Sequence, residues 1–319
     1  MRDFTLSYDN ITLRPKYSTL PSRSQADTSI IFGGKTFKLP VVPANMRDVI
    51  DIKNAKFMSE NDYFYIMHRF DNITSDFVKL ANNENWKSIS ISIGVSENDK
   101  FILQKLSDDG LRIDFITIDV AHAHHSNVES MIHHIKNQYP DAFLIVGNIA
   151  TAEAAYFLSD FGVDAVKVGI GGGSICTTRY MTGFHLPTLQ SVDEVAALFN
   201  FKGVGTHIIA DGGAKHYGDI TKALRFGATM VMSGGWFASC IDSPASIIDG
   251  KKIYRGSTAY ASKGEHRHIE GKTLELDGGF TYNDRLKEIK ESLQSSISYA
   301  GGTDLSSFDN IEWQWINKV

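Results

Sequence analysis

Short apolar runs rich in β-branched residues alternate along this chain with longer stretches that carry an apolar position every third or fourth residue. Residues 40–44, 63–67, 88–94, 114–120, 143–147, 165–169, 207–210 and 229–233 read as strands. Helical patterns fill the intervals at 50–60, 75–81, 98–108, 127–138, 152–161, 189–199 and 218–226. The run from Ile89 to Ile93 alternates strictly, whereas that from Ala228 to Met232 is almost continuous. Parallel strands covered by helices read this way. The units recur at intervals of roughly 25 to 40 residues, and no Pro/Gly/Ser-rich linker or low-complexity tract interrupts them. We therefore expect one α/β catalytic domain over 1–319, a (β/α)8 TIM barrel with a C-terminal extension. A doubly wound open sheet is the alternative, but Gly-x-Gly-x-x-Gly is missing near the N-terminus, where a dinucleotide-binding unit would carry it.

With 319 residues, 42% of them hydrophobic, the chain can bury a core of that size. A net charge of −5 and the lack of a long basic run argue against nucleic acid or an anionic membrane as the main partner. Cys176 and Cys240 are the only cysteines and form no C-x-x-C pair. That excludes a disulfide framework or a zinc ribbon and fits a reducing cytoplasm. Residues 1–10 are mixed and charged, unlike a signal peptide, and no apolar run reaches the roughly 18 residues of a membrane span. The expectation is a soluble cytoplasmic protein.

Active sites of barrels lie at the C-terminal ends of the strands, with phosphate commonly held after the seventh and eighth. The sixth predicted strand runs straight into Gly169-Ile170-Gly171-Gly172-Gly173-Ser174-Ile175-Cys176-Thr177-Thr178-Arg179. The seventh leads to Asp211-Gly212-Gly213 and the eighth to Ser233-Gly234-Gly235. Glycines let backbone approach a ligand and leave amides free to face a phosphate. A thiol at the rim of such a loop, beside two threonine hydroxyls, reads as a nucleophile; a buried cysteine in a tight turn is the reading these residues alone also admit. His122, His124 and His125 invite a metal, but spacing supplies no third ligand, and a polar rim is the expectation. His133 and His134 read as solvent-facing, and Trp313 and Trp315 as packing or a subunit contact.

Over nearly its whole length the chain resembles the IMP dehydrogenase/GMP reductase family. The resemblance rests on Tyr8-Asp9-Asn10-Ile11-Thr12-Leu13-Arg14-Pro15, Ser22-Arg23-Ser24, the run Leu39 to Met46, Met67-His68-Arg69 and the Cys176 loop. Further carriers are Ile208 to Gly213, Arg225 to Met232, Glu270-Gly271-Lys272 and Gln294 to Gly302. Two features resemble the reductase branch. No regulatory module is inserted after the second strand, and no Arg-Tyr pair lies between Gly256 and Lys272, where Arg267-His268-Ile269-Glu270 stands instead.

The resemblance implies NADPH-dependent reductive deamination of GMP to IMP and ammonia through a cysteine thioimidate, as in purine salvage. It implies Cys176 as nucleophile, with Thr178 and Glu270 handling protons. A free thiol is only a few per cent ionised near neutrality, so loop amides and the Thr177 and Thr178 hydroxyls would have to assist it. Substrate would be held by Ser174, Asp211, Gly212, Gly213, Gly234, Gly235, Gly256, Ser257, Thr258, Arg267 and Gly271. The cofactor would meet Ser22, Arg23, Arg69, Asp119, Val120, Ala121, Ile170 and Gly171, with the two guanidinium groups facing phosphates. Carbonyls of Gly171, Gly173, Cys176 and Arg179 would bind a monovalent cation, usually K+. The resemblance implies a homotetramer in which residues near 298–302 of a neighbour would complete the cofactor site. Two positions depart from the pattern: Gly172 replaces a usual proline, which would loosen the cation loop, and His185 stands where glycine is common. A dehydrogenase lacking the insert, a flavin-dependent barrel oxidoreductase and a silent purine-nucleotide sensor are the competing readings.

Overall fold

The computed structural model describes residues 5–257 and 270–316. Seven of the predicted apolar runs form one parallel sheet. In chain order they are β1 (Val41–Pro43), β2 (Ser90–Ile93), β3 (Phe115–Asp119), β4 (Phe143–Ile149), β5 (Ala165–Val168), β6 (His207–Asp211) and β7 (Met230–Ser233). Their spatial order is β1-β7-β6-β5-β4-β3-β2, so the first strand bonds to the last. That is the order of a sheet curling back on itself, and the fold is α/β with a seven-stranded parallel half-barrel.

The eighth expected strand, 63–67, requires a correction. It joins the sheet through a single parallel bridge from Met67 to Ile91 of β2. Met67 N–H donates to the Ser90 carbonyl at 3.1 Å, and Ser92 N–H to the Met67 carbonyl at 2.9 Å. A parallel ladder needs evenly spaced backbone bonds along its length. Here side chains take their place at the start of β2: Tyr65 Oη and Ser59 Oγ donate to the Ser88 carbonyl at 2.8 and 2.9 Å. The segment nevertheless lies on the open edge of the sheet, beside β2.

Seven expected helices form, at Ile52–Glu60, Thr74–Asn83, Glu97–Asp108, Ser126–Gln138, Ala152–Asp160, Thr188–Lys202 and Gly218–Arg225. Their starts have local chemical causes. Asp51 and Thr151 accept the orphan amides of Asn54 and Ala154, and Ser96 pairs with Asp99 in a reciprocal capping box. His125 caps its helix by accepting from Asn127 N–H at 3.0 Å, which gives one histidine of the 122–125 group a structural task. His133 is exposed, whereas the half-buried His134 ring meets the Lys100 carbonyl at 3.0 Å.

Beyond the expected elements lie an 18-residue helix, Tyr282–Tyr299, and an antiparallel sheet of Ile247–Ile248, Lys251–Arg255 and Thr273–Leu276. Trp313–Trp315 pairs antiparallel with Ile11–Leu13, joining the two ends of the chain, and Trp313 packs on Phe226 at 5.3 Å. Among the described residues no helix is long and apolar enough to cross a membrane.

A hairpin, Ile30–Phe32 with Lys35–Phe37, closes one end of the sheet. Its Phe32 ring meets Phe64, Phe115, Phe143 and His207 at centroid distances of 5.0, 6.1, 4.6 and 5.3 Å. Phe115, Phe143 and His207 are the first residues of β3, β4 and β6, so this plug seals the N-terminal ends and leaves the C-terminal ends for chemistry. Phe32→Ala should lower the unfolding free energy by about 3–5 kcal/mol in urea titrations, with Michaelis constants unchanged.

Two histidines are held neutral. Burial pulls His207 below its ordinary range, against the attraction of Asp164. Burial likewise takes His68 down to about 4, with Asp71 opposing. The unfolded chain takes up protons below about pH 6.5 that the folded protein refuses. Stability should therefore be full above that pH and fall from there toward pH 4, a decline read from urea midpoints and shallower in His68→Phe.

Candidate active site

The loop after β5 carries Cys176, and a distant segment is hydrogen-bonded against it. Thr177 N–H donates to the Glu270 carbonyl at 2.8 Å, and Lys272 N–H to the Ile175 carbonyl at 2.9 Å. Cys176 and Gly271 form an antiparallel bridge. This short ladder fixes the Glu270 carboxylate over the loop. The Cys176 thiol donates to Thr178 Oγ1 at 3.2 Å, and Thr178 Oγ1 donates to Glu270 Oε2 at 2.6 Å. Sulfur, hydroxyl and carboxylate form one directional chain along which a proton can pass. Cys176 is half-buried and reachable, whereas Cys240 is fully buried and its thiol is pushed up to about 12, chiefly by desolvation.

The glycine-rich loops interlock. Gly212 and Gly213 adopt φ of +89° and +86°, and a side-chain carbon on Gly212 would lie 2.9 Å from the Gly173 nitrogen. Only glycine permits both that backbone conformation and that approach. Gly172 and His185, the two departures from the family pattern, also have a structural account. A Cβ on Gly172 would lie 2.6 Å from Thr188 Oγ1, so the threonine hydroxyl fills the space beside it. His185 Nδ1 lies 2.9 Å from the Ile170 carbonyl and tethers the loop that Gly172 was expected to loosen.

After β7, Gly234 faces Tyr254, whose hydroxyl lies 1.9 Å from where a Cβ would be. Tyr254 is held by its neighbour Arg255, whose N–H donates to Asp48 Oδ2 at 2.8 Å and whose Nη1 lies 3.3 Å from Asp48 Oδ1. Burial raises the Asp48 carboxyl against the pull of Arg255. Sequence reasoning missed Tyr254. Its only signal was its place three residues before Ser257, inside a strand that was not anticipated.

Asp211, at the end of β6, accepts from Asn148 Nδ2 at 2.8 Å and from Lys167 Nζ at 2.9 Å. Lys167 Nζ also lies 3.2 Å from Asp119 Oδ1, at the end of β3. Neither Asn148 nor Lys167 was anticipated, because each sits inside an apolar run and reads as core. Arg69 lies near the end of β2, with Nη1 3.4 Å from where a Cβ on Gly94 would be, and its buried Nε has no hydrogen-bond partner among the described residues.

Of the expected site residues, contacts join Cys176, Thr178, Glu270 and Gly271, place Gly256 against Gly271 and Gly212 against Gly173, and bring Asp119 and Asp211 to one lysine. Ser174 is exposed. Gly256 N–H reaches the Lys272 carbonyl at 3.1 Å. Arg23 follows another path, donating to Ser295 Oγ at 3.2 Å on the terminal helix, while Ser22 Oγ meets Ser24 Oγ at 2.9 Å. Thr258 and Arg267 lie outside the described residues.

Comparison with known proteins agrees with this geometry. The IMP dehydrogenase / GMP reductase domain matches residues 5–312. A protein of Leptothrix cholodnii named GMP reductase is 45% identical over 311 residues, covering 96% of this chain and 94% of its own. One of Staphylococcus aureus strain JH9, also named GMP reductase, is 46% identical over 312 residues, with the same coverage. The chain belongs to the IMP dehydrogenase/GMP reductase family. From the contrast between its cysteines, iodoacetamide should label the folded protein once, at Cys176, with Cys240 modified only after unfolding; peptide mass spectrometry reads the result.

Proposed function

We propose that this chain catalyses NADPH-dependent reductive deamination of GMP to IMP and ammonia. The observation that carries the reading is the hydrogen-bonded chain from the Cys176 thiol through Thr178 to Glu270. A purine amine is a poor leaving group, and covalent catalysis divides the difficulty. The thiol proton passes through Thr178 to Glu270, and the sulfur adds to C2 of guanine. Glu270 returns that proton to the exocyclic amine, which departs as ammonia. The thiol's own proton is the one the leaving group needs, so this half-reaction balances without another acid. Cys176 is left as a thioimidate at C2. A bound nicotinamide cofactor would supply the hydride that replaces the C–S bond; the sulfur leaves as thiolate and regains its proton from solvent, drawn in through Glu270 and Thr178.

Around this step, Ser174 and the amides of Gly212, Gly213, Gly234 and Gly235 hold the 5′-phosphate, with Tyr254 Oη at the same wall. Asp211, an acceptor-only group, takes the ribose hydroxyls. Gly256, Ser257 and Gly271 line the base. The cofactor side suits a nicotinamide dinucleotide: the buried Arg69 Nε is a donor without a partner among the described residues, and Asp119 offers acceptors to a ribose. Ser22, Arg23, Val120, Ala121, Ile170 and Gly171 extend this side. A K+ ion fits the carbonyls of Gly171, Gly173, Cys176 and Arg179, where it would brace the cysteine loop. Gly173 and Arg179 each accept one backbone hydrogen bond, at 3.1 and 3.2 Å, and keep a second lone pair for hard-ion ligation. We read the half-barrel as a closed (β/α)8 barrel completed by 63–67, within one domain, in a cytoplasmic homotetramer. The Met67 bridge supports the closure and the two free cysteines the reducing compartment, while the tetramer rests on the family resemblance.

Purified protein should consume NADPH with GMP and release IMP and ammonia; robust oxidation of IMP with NAD instead overturns the reading. Cys176→Ala should abolish turnover. Glu270→Gln should lower kcat by about 10²- to 10⁴-fold with little change in the KM for GMP, measured by nicotinamide absorbance.

A further inference from the structure

Lys167 is a buried cation shared by two acidic groups that face different ligands. Its side chain is 4% exposed, and its ammonium lies 2.9 Å from Asp211 Oδ2 and 3.2 Å from Asp119 Oδ1, each aspartate being 21% exposed. Asn148 completes the cluster: its Oδ1 accepts from the ammonium, and its Nδ2 donates to Asp211 Oδ2 at 2.8 Å and to the Gly169 carbonyl at 2.6 Å.

The strand register explains how one lysine reaches both carboxylates. Asp119 of β3 is paired with Gly147 of β4, and Gly147 with Lys167 of β5. The three positions stand side by side, and the middle one has no side chain. A Cβ on Gly147 would lie 2.4 Å from Lys167 Cβ. Glycine there opens the row, so Lys167 extends across β4 toward Asp119 while touching Asp211 on its other flank.

We propose that Lys167 is a positioning residue that orients the nucleotide-side and cofactor-side carboxylates through one shared ammonium, and so couples the two binding sites. The proposal deepens the reductase reading and rests on it for the identity of the two ligands. Two carboxylates that share a partner this closely repel each other, and without the cation one of them takes up a proton. A protonated Asp211 would no longer be a pure acceptor for ribose hydroxyls. Burial alone would pull the lysine below its ordinary range, but Asp211 and Asp119 outweigh it and hold the ammonium charged. The other titratable groups facing Asp211 are the phenols of Tyr8 and Tyr254, which burial keeps neutral, with Asp219 and Asp48 adding to the effect.

The test is calorimetric titration of GMP alone and of NADPH alone, at several pH values, against wild type and variants. Lys167→Met should weaken both ligands by about ten-fold or more near pH 7 and move the acid limb of GMP binding upward by about one pH unit. Adding Asp119→Asn removes the repulsion, so the double variant should regain much of the lost GMP affinity without regaining NADPH affinity. A folded Lys167→Met with wild-type affinities and pH dependence, or a double variant no better for GMP than the single one, overturns the proposal. Should Lys167→Met fail to fold, Asp119→Asn alone decides: its GMP binding should persist to lower pH than wild type, and an unchanged acid limb refutes the coupling. Wild-type protein that binds GMP without turning it over sinks the reductase reading and leaves this comparison intact.

Discussion

The ladder between residues 175–177 and 270–272 is the constraint on which the chemistry depends. Two backbone hydrogen bonds, Thr177 to Glu270 and Lys272 to Ile175, flank the nucleophile and face it to Gly271, a residue far along the chain. Because the ladder uses main-chain groups, it places the Glu270 side chain without help from its own contacts. Gly256 and Gly271 approach so closely that a Cβ on Gly256 would lie 2.9 Å from Gly271 Cα. The thiol, the threonine hydroxyl and the carboxylate then fall into hydrogen-bonding order. Side chains alone, held on a mobile loop, would lose rotamer entropy each time they met.

The molecule separates stability from chemistry along the strand direction. At the N-terminal ends, a cluster of aromatic rings from the first hairpin and the strand starts forms a dry plug. At the C-terminal ends, the strands finish in glycines and in charged residues. Between the two, the inside of the sheet carries polar groups that would be costly if unpaired. Lys167 shows how that cost is met: its ammonium has two carboxylates and an amide oxygen as partners.

The two departures from the family pattern are accounted for together. Gly172 leaves room for the Thr188 hydroxyl, and His185 binds the Ile170 carbonyl. A loop that loses proline's rigidity at one position is held by a side chain from the next segment. Such compensation is invisible along the chain, because His185 lies 15 residues from its acceptor.

Periodicity was enough to find seven strands and seven helices, since each buries one face or both, and burial imprints a repeat of two or about 3.6 on the residues. The motif around Cys176, the Asp211 glycines and Glu270 could likewise be read directly, because a nucleophile, an acceptor and a tight turn each demand particular residue types. Strand 63–67 misled because its apolar pattern is that of a ladder, while Tyr65 and Ser59 take the acceptor a ladder would use. Lys167 and Asn148 stayed hidden because, in or beside an apolar run, a polar residue announces neither its partners nor the ligand it serves; Tyr254 did because its segment, Lys251–Arg255, carries no apolar pattern. Local pattern reports how each segment meets water. Which distant segments share a hydrogen bond or a charge is settled only when the sheet curls and brings strand ends together.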